Sequence, residues 1–104
     1  MRPESHRGHV DLLLLSVLAA GPAHGYGLVE ALRERSDGAF DLAEGTVYPA
    51  LYRLERSGAV ASRWEIVDRR RRRVYQLTSR GREALERGRA EWRTFAQAVE
   101  AIVA

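Results

Sequence analysis

The stretch that decides the fold is EGTVYPALYRLERSG, residues 44–58. Within it, Val47, Leu51 and Leu54 recur at i, i+4 and i+7, a spacing that places three apolar side chains on one face of a helix. Polar and aromatic side chains fall largely on the other faces: Thr46, Tyr48, Tyr52, Arg53 and Arg56. We therefore predict an amphipathic helix that buries its aliphatic stripe and exposes the remaining side chains.

Pro49 restricts where this helix can begin. A proline costs about 3 kcal/mol in the middle of a helix but little in the first turn, where its missing N–H has no partner anyway. We therefore place the start between Glu44 and Thr46. Asp41 and Glu44 also resemble a capping box that would begin the helix earlier and leave Pro49 as a kink, and we prefer the later start.

Two helices precede this segment. Residues 9–20 are apolar with few breaks, so we predict a helix sandwiched between other elements and stopped by the Gly-Pro pair at 21–22. A second helix is predicted over about residues 24–35. His24 is interpreted as a helix-start residue that packs near Tyr26.

Two extended runs follow the third helix. Apolar and polar side chains alternate over residues 61–67 and again over 72–78, which predicts a β-hairpin. Asp68 and the unbroken arginine run at 69–73 are assigned to its tip. Arginines at this density repel one another unless an anion is near, so we expect the hairpin to lie along a phosphate backbone.

The last predicted element is a helix from Ser79 or Arg80 to the C-terminus. Its apolar positions are spaced 3, 4, 3, 4 and 3, which is a heptad seam with one weak glycine: Leu85, Gly88, Trp92, Phe95, Val99 and Ile102. A helix about 35 Å long cannot bury this seam against the rest of so short a chain. We therefore predict a homodimer, with residues 1–78 as the main body of the chain and 79–104 as the dimerisation helix.

The basic charge is concentrated in one part of the chain. The sequence has 17 Lys+Arg, all of them arginine, against 14 acidic residues. A G+C-rich genome accounts for the choice of arginine but not for its clustering. Residues 53–82 hold ten arginines and three acids, a balance of +7, while the remainder is net negative. This distribution indicates a surface that meets a polyanion.

Several other classes of protein are excluded or disfavoured. With no cysteine there are no disulfides and no thiolate metal sites, which is compatible with the cytoplasm. The apolar run at 12–20 is far below the ~20 residues of a membrane span, and acidic Glu4 and Asp11 occupy the flank where a signal peptide is positive. No catalytic constellation or glycine-rich phosphate loop is present, so we expect no enzyme activity and no cofactor.

The histidines offer one weak alternative, a metal site. His6 and His9, with Glu4 or Asp11, could place ligands on one side of a helix. The favoured interpretation is an exposed N-terminal arm without metal.

Three helices, a hairpin and a further helix are the element order of a winged helix-turn-helix, a mostly α fold with a small β-hairpin. In this architecture the third helix enters the major groove and the wing follows the backbone. The predicted DNA contacts on the helix are Thr46, Tyr48, Tyr52 and Arg53. Those on the wing are Arg69, Arg70, Arg71, Arg72 and Arg73.

The residues also resemble a known family, the PadR transcriptional regulators. The similarity lies in TVYPALYRLE (46–55) and in HGYGL (24–28), which resembles the family's second helix. RVYQLT (73–78) followed by Gly81 resembles its second wing strand and the start of the final helix. The length is similar to the short subfamily, which has one C-terminal dimerisation helix.

The resemblance implies a homodimeric repressor on a partly palindromic operator. It also implies an effector, such as a small aromatic or drug-like molecule, between the subunits, with Trp92 resembling the tryptophan that stacks on the ligand. We favour the interpretation of Trp92 as a knob in the dimer seam, and the space beside Gly88 is interpreted as a pocket or a packing defect. The wing departs from the family pattern because residues 68–73 lack glycine and proline, so we expect a longer or disordered tip.

Two other functions stay open at this point. A basic wing also fits the backbone of A-form RNA, and the same fold can serve as a protein-interaction module whose last helix pairs with another protein. Competition between duplex DNA and structured RNA separates the first from a DNA-binding regulator. The mass of the particle in solution separates the second.

Overall fold

The structure, a computed structural model, describes the backbone of residues 3–104 and the side chains from residue 9 onward. Four helices and three strands make up this part of the chain. In order they are α1 (Pro3–Leu18), β1 (Ala23–His24), α2 (Gly25–Arg35), α3 (Glu44–Arg56), β2 (Val60–Val67), β3 (Arg70–Leu77) and α4 (Ser79–Val103). The predicted mostly helical fold with a small β-unit and a long last helix is confirmed.

Helix α1 is the centre of the core, as predicted for a sandwiched helix. It packs against α2, α3 and α4, and Leu14 and Leu15 are buried. The helix begins six residues earlier than the sequence suggested, with Pro3 in the first position, where a fixed φ and a missing N–H are tolerated. Within residues 3–104, no helix combines the length and hydrophobicity that a bilayer crossing demands.

The sheet contains one strand that the sequence did not reveal. Strand β1 pairs antiparallel with β3 through Ala23–Tyr75 and His24–Val74, so the hairpin becomes a three-stranded sheet in the order β1-β3-β2. His24 is the N-cap of α2, because its Nδ1 accepts a hydrogen bond from the Gly27 N–H at 3.0 Å. The predicted role of His24 at the helix start is confirmed.

Helix α3 begins at Glu44, at the early edge of the predicted range. Ala43 is the N-cap and makes no side-chain capping bond, so the capping-box alternative does not occur. Pro49 therefore lies in the second turn rather than the first. The carbonyl that loses its helical donor is that of Gly45, which is exposed, so water can satisfy it.

The hairpin tip differs from the prediction. Strands β2 and β3 pair from Val60–Leu77 to Val67–Arg70, which leaves only Asp68 and Arg69 as the turn. Both have positive φ, 52° and 65°, as a type I′ turn requires. The expected long or disordered tip is wrong, since the strands continue to the turn and the arginines after Arg69 belong to β3.

Helix α4 divides into a packed first part and a projecting second part. Its N-cap Thr78 accepts a hydrogen bond from Gly81 N at 3.0 Å, and Leu85 is 3% exposed. Beyond this point the large apolar side chains of α4 are exposed. The chain has a radius of gyration of 14.5 Å and a longest extent of 51 Å, more elongated than the ~13 Å expected for 100 compact residues.

Candidate nucleic-acid interface

The exposed surface of α3 consists of two adjacent stripes. Val47, Ala50, Leu51 and Leu54 are buried on the opposite side. One exposed stripe carries Tyr48, Tyr52 and Arg56, which follow one another at i+4 and face the wing. The Arg56 guanidinium lies 5.7 Å from the centre of the Tyr52 ring. The second stripe carries Thr46 and Arg53 and lies toward α1.

Tyr48 owes its position to the glycine that begins α2. A Cβ on Gly25 would lie 2.5 Å from Cε1 and 2.6 Å from the hydroxyl of Tyr48. The ring therefore rests directly on the Gly25 backbone while its other face stays exposed. Tyr52 has no such support and is the more exposed of the two tyrosines.

Arg53 has a partner within the chain. Its Nη2 donates a 3.0 Å hydrogen bond to Oδ1 of Asp11 on α1, and both side chains are about one-third exposed or less. The guanidinium has five N–H donors, so further donors stay available for a phosphate or a base. The ion pair fixes the direction in which Arg53 leaves α3.

The strand alternation of the wing separates the five consecutive arginines. In the pairing register, Trp64 is opposite Arg73 and Ile66 is opposite Arg71, which places these four side chains on the face toward α3. Arg70 and Arg72 lie on the other face, and Arg69 is in the turn. The arginine run therefore has side chains on both faces of the wing and does not form one cluster at the tip.

On the face toward α3, side chains of the wing form polar contacts with α3. Arg73 donates from Nε to Oγ of Ser62 at 2.8 Å, and its Nη2 is 3.6 Å from Oε2 of Glu55. The Ser62 hydroxyl donates to the same Glu55 oxygen at 2.5 Å. Trp64 lies beside these groups, with the guanidinium of Arg71 4.7 Å and that of Arg73 5.4 Å from its ring centre.

The other face and the tip carry the less engaged arginines. Arg63 pairs with Glu65 and donates to Gln76 at 2.6 Å, so the charge of Arg63 is partly compensated. Arg69 and Arg70 are exposed and make no ion pair among residues 9–104. These two side chains carry uncompensated positive charge at the end of the wing.

A groove of about 670 Å³ separates α3 from the wing. It is lined by Tyr48, Tyr52, Glu55, Arg56, Arg73 and Tyr75. Burial raises the pKa of the Tyr75 hydroxyl above its ordinary value of 10.0; the Arg73 guanidinium opposes this shift, and Glu55 and Tyr48 add to it. The floor of the groove is therefore a neutral phenol at physiological pH, and its rims are aromatic and cationic.

The projecting part of α4 carries the predicted seam. Trp92, Phe95, Val99 and Ile102 are all exposed, and Ile102 reaches 83%. Leu85, which was assigned to the dimer seam, instead lies in the core of its own chain and does not belong to the exposed stripe. The exposed seam therefore begins at Trp92.

A second, apolar groove of about 690 Å³ lies between α1, α4 and the loop before α3. Its lining includes His9, Leu13, Phe40, Leu42, Trp92 and Phe95. The Trp92 ring meets His9 edge to face at 5.8 Å and Phe95 at 6.0 Å. Gly88 does not open this space, because a Cβ there would lie 2.9 Å from Leu12 Cδ1. Gly88 instead leaves room for the side chain of Leu12 from α1.

The suggested histidine metal site lies partly outside the described residues, because the side chains of Glu4 and His6 are not among them. His9 packs on Trp92. In the part of the chain whose side chains are described, no group of three His, Cys, Asp or Glu residues is close enough to hold an ion.

Three residues that take part in the contacts around the groove between α3 and the wing were not among the predicted DNA contacts: Arg56, Glu55 and Trp64. Arg56 was detectable, because it continues the Tyr48–Tyr52 stripe at the next i+4 position. Glu55 and Trp64 were not, because their contacts depend on the angle between α3 and the wing.

An amphipathic third helix beside an arginine-rich β-wing defines a winged-helix DNA-binding protein. Residues 14–87 match the Transcriptional regulator PadR-like family, which is more than half of the chain. The chain belongs to this family, as the sequence resemblance predicted. It is a DNA-binding transcriptional regulator and not an enzyme.

Individual relatives agree with this assignment. Transcriptional regulator Rv3488 of Mycobacterium tuberculosis (strain ATCC 25618 / H37Rv) is 38% identical over 96 residues, or 92% of this chain and 87% of the relative. A transcriptional regulator from Clostridium thermocellum superposes with a TM-score of 0.88 at 28% identity, over 100% of this chain and 99% of the other. A PadR family transcription regulator from hypervirulent Clostridium difficile R20291 superposes with a TM-score of 0.79 at 31% identity. The match covers 92% of this chain and 99% of the other.

Proposed function

We propose that the chain is a homodimeric repressor that binds a partly palindromic operator, with α3 in the major groove and the wing on the adjacent backbone. One observation carries this proposal. The exposed stripe of α3 and Arg73 of the wing border the same groove, so helix and wing can meet one duplex together. In this proposal, the base edges are contacted by Thr46, Tyr48, Tyr52 and Arg53. The phosphates are contacted by Arg69, Arg70, Arg71, Arg72 and Arg73.

The dimer is supported by the projecting half of α4. Four large apolar side chains at heptad spacing lie exposed along it: Trp92, Phe95, Val99 and Ile102. Pairing of two such helices buries both seams and gives the assembly a two-fold axis. Two recognition helices would then meet half-sites about one helical turn, ~34 Å, apart. In this proposal, residues 1–78 bind DNA and 79–104 dimerise.

We further propose that the effector binds at the dimer interface, in the apolar groove beside Trp92. The groove has aromatic walls and the cationic side chains of Arg89 and Arg93 at its border, which suits a planar aromatic molecule, including an acidic one. A ligand there touches both α1 and α4. It would change the distance between the two recognition helices and so lower the affinity for the operator.

The test is fluorescence anisotropy of the protein on duplex DNA from upstream of its own gene. A scrambled duplex of the same length is the control, and both are titrated across a salt series. We expect preference for the upstream duplex, saturation at one dimer per site, and a logarithmic salt slope of about −0.9 per phosphate contact. Equal, steeply salt-dependent binding to both duplexes would contradict sequence-specific recognition at this site.

Two further measurements separate the alternatives. Structured RNA should fail to displace the bound duplex, and displacement by RNA would favour an RNA-binding role. Light scattering should give the mass of a homodimer without an added partner. A monomer would contradict the pairing of α4 with a second copy.

A further inference from the structure

Trp64 occupies an unusual place for a large aromatic side chain. It is on the middle of β2, 51% exposed, on the wing face toward α3. Core packing does not explain it, because it is absent from the buried cluster and from the groove lining. The contacts that it does make are with the two arginines of that face, Arg71 and Arg73.

These contacts are set by the strand register. Arg73 is directly opposite Trp64, and Arg71 is the diagonal neighbour two residues away on the same face. Both guanidinium groups lie within the ~6 Å over which a cation is attracted to an aromatic ring. Two like charges that would otherwise repel are therefore held near a single indole.

The same arrangement is anchored to α3. Glu55 accepts from Ser62 at 2.5 Å and lies 3.6 Å from Arg73, which itself donates to Ser62. A continuous set of contacts thus runs from the recognition helix through Arg73 to Trp64 and on to Arg71. It fixes the direction of the wing charges relative to the helix.

We propose that Trp64 is a positioning residue that gathers Arg71 and Arg73 on the α3-facing side of the wing, so that both guanidinium groups meet the DNA backbone beside the recognition helix. The inference rests on the proposed function, since it concerns how the same surface engages DNA. Although Trp64 is neutral, it thereby contributes to the electrostatic part of DNA binding. Trp64 acts through the arginines rather than by touching a base.

The first test needs no DNA. In a Trp92→Phe background, Trp64 is the single tryptophan, and its emission reports its surroundings. Replacing Arg71 and Arg73 with alanine should shift that emission to longer wavelength and increase its quenching by acrylamide, because the ring loses its cover. The same double replacement of Arg69 and Arg70 is the matched control and should leave the emission unchanged. Identical spectra in all three proteins would overturn the stacked arrangement.

The second test measures the salt slope on the upstream duplex. Trp64→Leu keeps the net charge and an apolar side chain, yet we expect a roughly fivefold loss of affinity at low salt, in line with two exposed cation–π contacts. The salt slope should fall by about one unit, as if one phosphate contact were lost. Trp64→Phe retains an aromatic face, so its affinity and its salt slope should both stay close to those of the wild type. Thermal melting checks that each variant is folded.

The third test is a double-mutant cycle. In the background lacking Arg71 and Arg73, Trp64→Leu should have no further effect, because the groups that it positions are gone. Ile66→Ala is the control for an exposed apolar side chain on the same strand and face, and its effect should add to that of the arginine replacements. Additive behaviour of Trp64→Leu, or a loss of affinity at unchanged salt slope, would overturn the positioning role.

Failure of the proposed function gives a different pattern. If the wild-type protein binds no duplex or shows no salt slope, DNA binding fails and the inference falls with it. If it binds both duplexes equally with a steep salt slope, sequence-specific recognition is refuted while the role of Trp64 can still be measured. If the wild type binds and Arg71→Ala flattens the slope while Trp64→Leu does not, DNA binding by the wing stands and only the role of Trp64 is refuted.

Discussion

The two tryptophans of the chain are nearly equally exposed but lie in opposite surroundings. Trp64 on the wing is 51% exposed and Trp92 on α4 is 47% exposed. The guanidinium groups of two arginines lie near the ring of Trp64, whereas His9 and Phe95 pack around Trp92. Exposure alone would treat these residues as equivalent.

The neighbours, rather than the exposure, distinguish the two regions. The arginines gathered around the Trp64 ring carry positive charge that an anionic backbone attracts. An aromatic ring that continues a stripe of exposed aliphatic side chains loses unfavourable contact with water when a second apolar surface covers it. The wing therefore suits a polyanion, and the end of α4 suits another copy of itself.

The largest expected effect is at the junction of the two regions. Gly81 begins the packed part of α4, and a Cβ there would collide with the backbone oxygen of Ala59 and lie 2.8 Å from Leu77 Cδ1. Gly81→Ala should lower the free energy of unfolding by ~3 kcal/mol or more, because a backbone oxygen cannot move aside cheaply. Thermal melting measures this, and both DNA binding and dimerisation should fail together.

The control for this change is Gly45→Ala. Gly45 also lies near the start of a helix, and a Cβ there meets nothing within 4 Å. It should leave the melting temperature unchanged or slightly higher. Equal melting temperatures for the two variants would refute the close approach of α4 to Ala59.

The second prediction concerns a substitution that disrupts only the exposed seam of α4. Val99→Glu places a carboxylate in the exposed seam, where the single chain tolerates it but a dimer must bury it. We expect the dimer dissociation constant to rise at least about 100-fold, or ~2.7 kcal/mol, with the monomer still folded. Sedimentation or light scattering measures this. Thr94→Glu puts the same charge on an outer face of α4 and should remain dimeric; dissociation of both variants would argue against this seam.

The third prediction affects the DNA-facing region without touching the wing. Gly25→Ala forces the far end of the Tyr48 side chain to leave its place on α2, while the backbone can stay where it is. We expect about tenfold weaker operator binding, ~1.4 kcal/mol, with little change in melting temperature. Gly27→Ala is the matched control, since its Cβ would sit at an ordinary 3.4 Å from His24. Unchanged DNA affinity in Gly25→Ala would remove Tyr48 from the contact surface.

The fourth prediction sharpens the assignment of the wing. Arg70→Ala and Arg71→Ala should each weaken binding to all duplexes and flatten the salt slope by about one unit per lost phosphate contact. Because the two residues lie on opposite faces of β3, the pair also reveals which face meets the backbone. If neither variant alters the slope, the wing takes no part in binding.

The sequence predicted elements that carry a long periodic pattern. The stripe of Val47, Leu51 and Leu54, the alternation of the hairpin and the heptad of α4 each repeat over enough residues to indicate the correct structure. Strand β1 has only two residues, too few to show any period. Its existence depends on pairing with β3, about fifty residues later in the sequence.

The prediction for the wing tip was wrong for a different reason. A two-residue type I′ turn is normally recognised by Asn-Gly or Asp-Gly, and here Arg69 takes the second position at a φ of 65°. Such a conformation costs a bulky residue on the order of 1 kcal/mol or more, and the pairing of eight residues on each strand holds it in place. The cross-strand pairing therefore outweighs the local preference.

The candidate site was predicted in its residue types but not in its contacts. The heptad spacing of Leu85 is the same whether the partner is α1 of its own chain or a second α4, so periodicity could not decide between them. The Arg53–Asp11 pair joins residues 42 apart in sequence, and the contact between Glu55 and Arg73 depends on the angle between α3 and the wing. These are properties of tertiary packing.

The smallest expected effect concerns the floor of the groove between the wing and α3. Tyr75 is 7% exposed, and burial raises the pKa of its hydroxyl above 10.0 in the folded chain. The folded state therefore binds this proton more tightly than the unfolded state does. The resulting stability is fully present below pH 10 and is lost as the pH rises toward the higher folded-state pKa. Urea unfolding between pH 8 and pH 11 should show a decline that Tyr75→Phe reduces and that Tyr52→Phe, at an exposed tyrosine on the same groove, does not. Equal behaviour of the two variants would place the phenol of Tyr75 in water rather than in the buried floor of the groove.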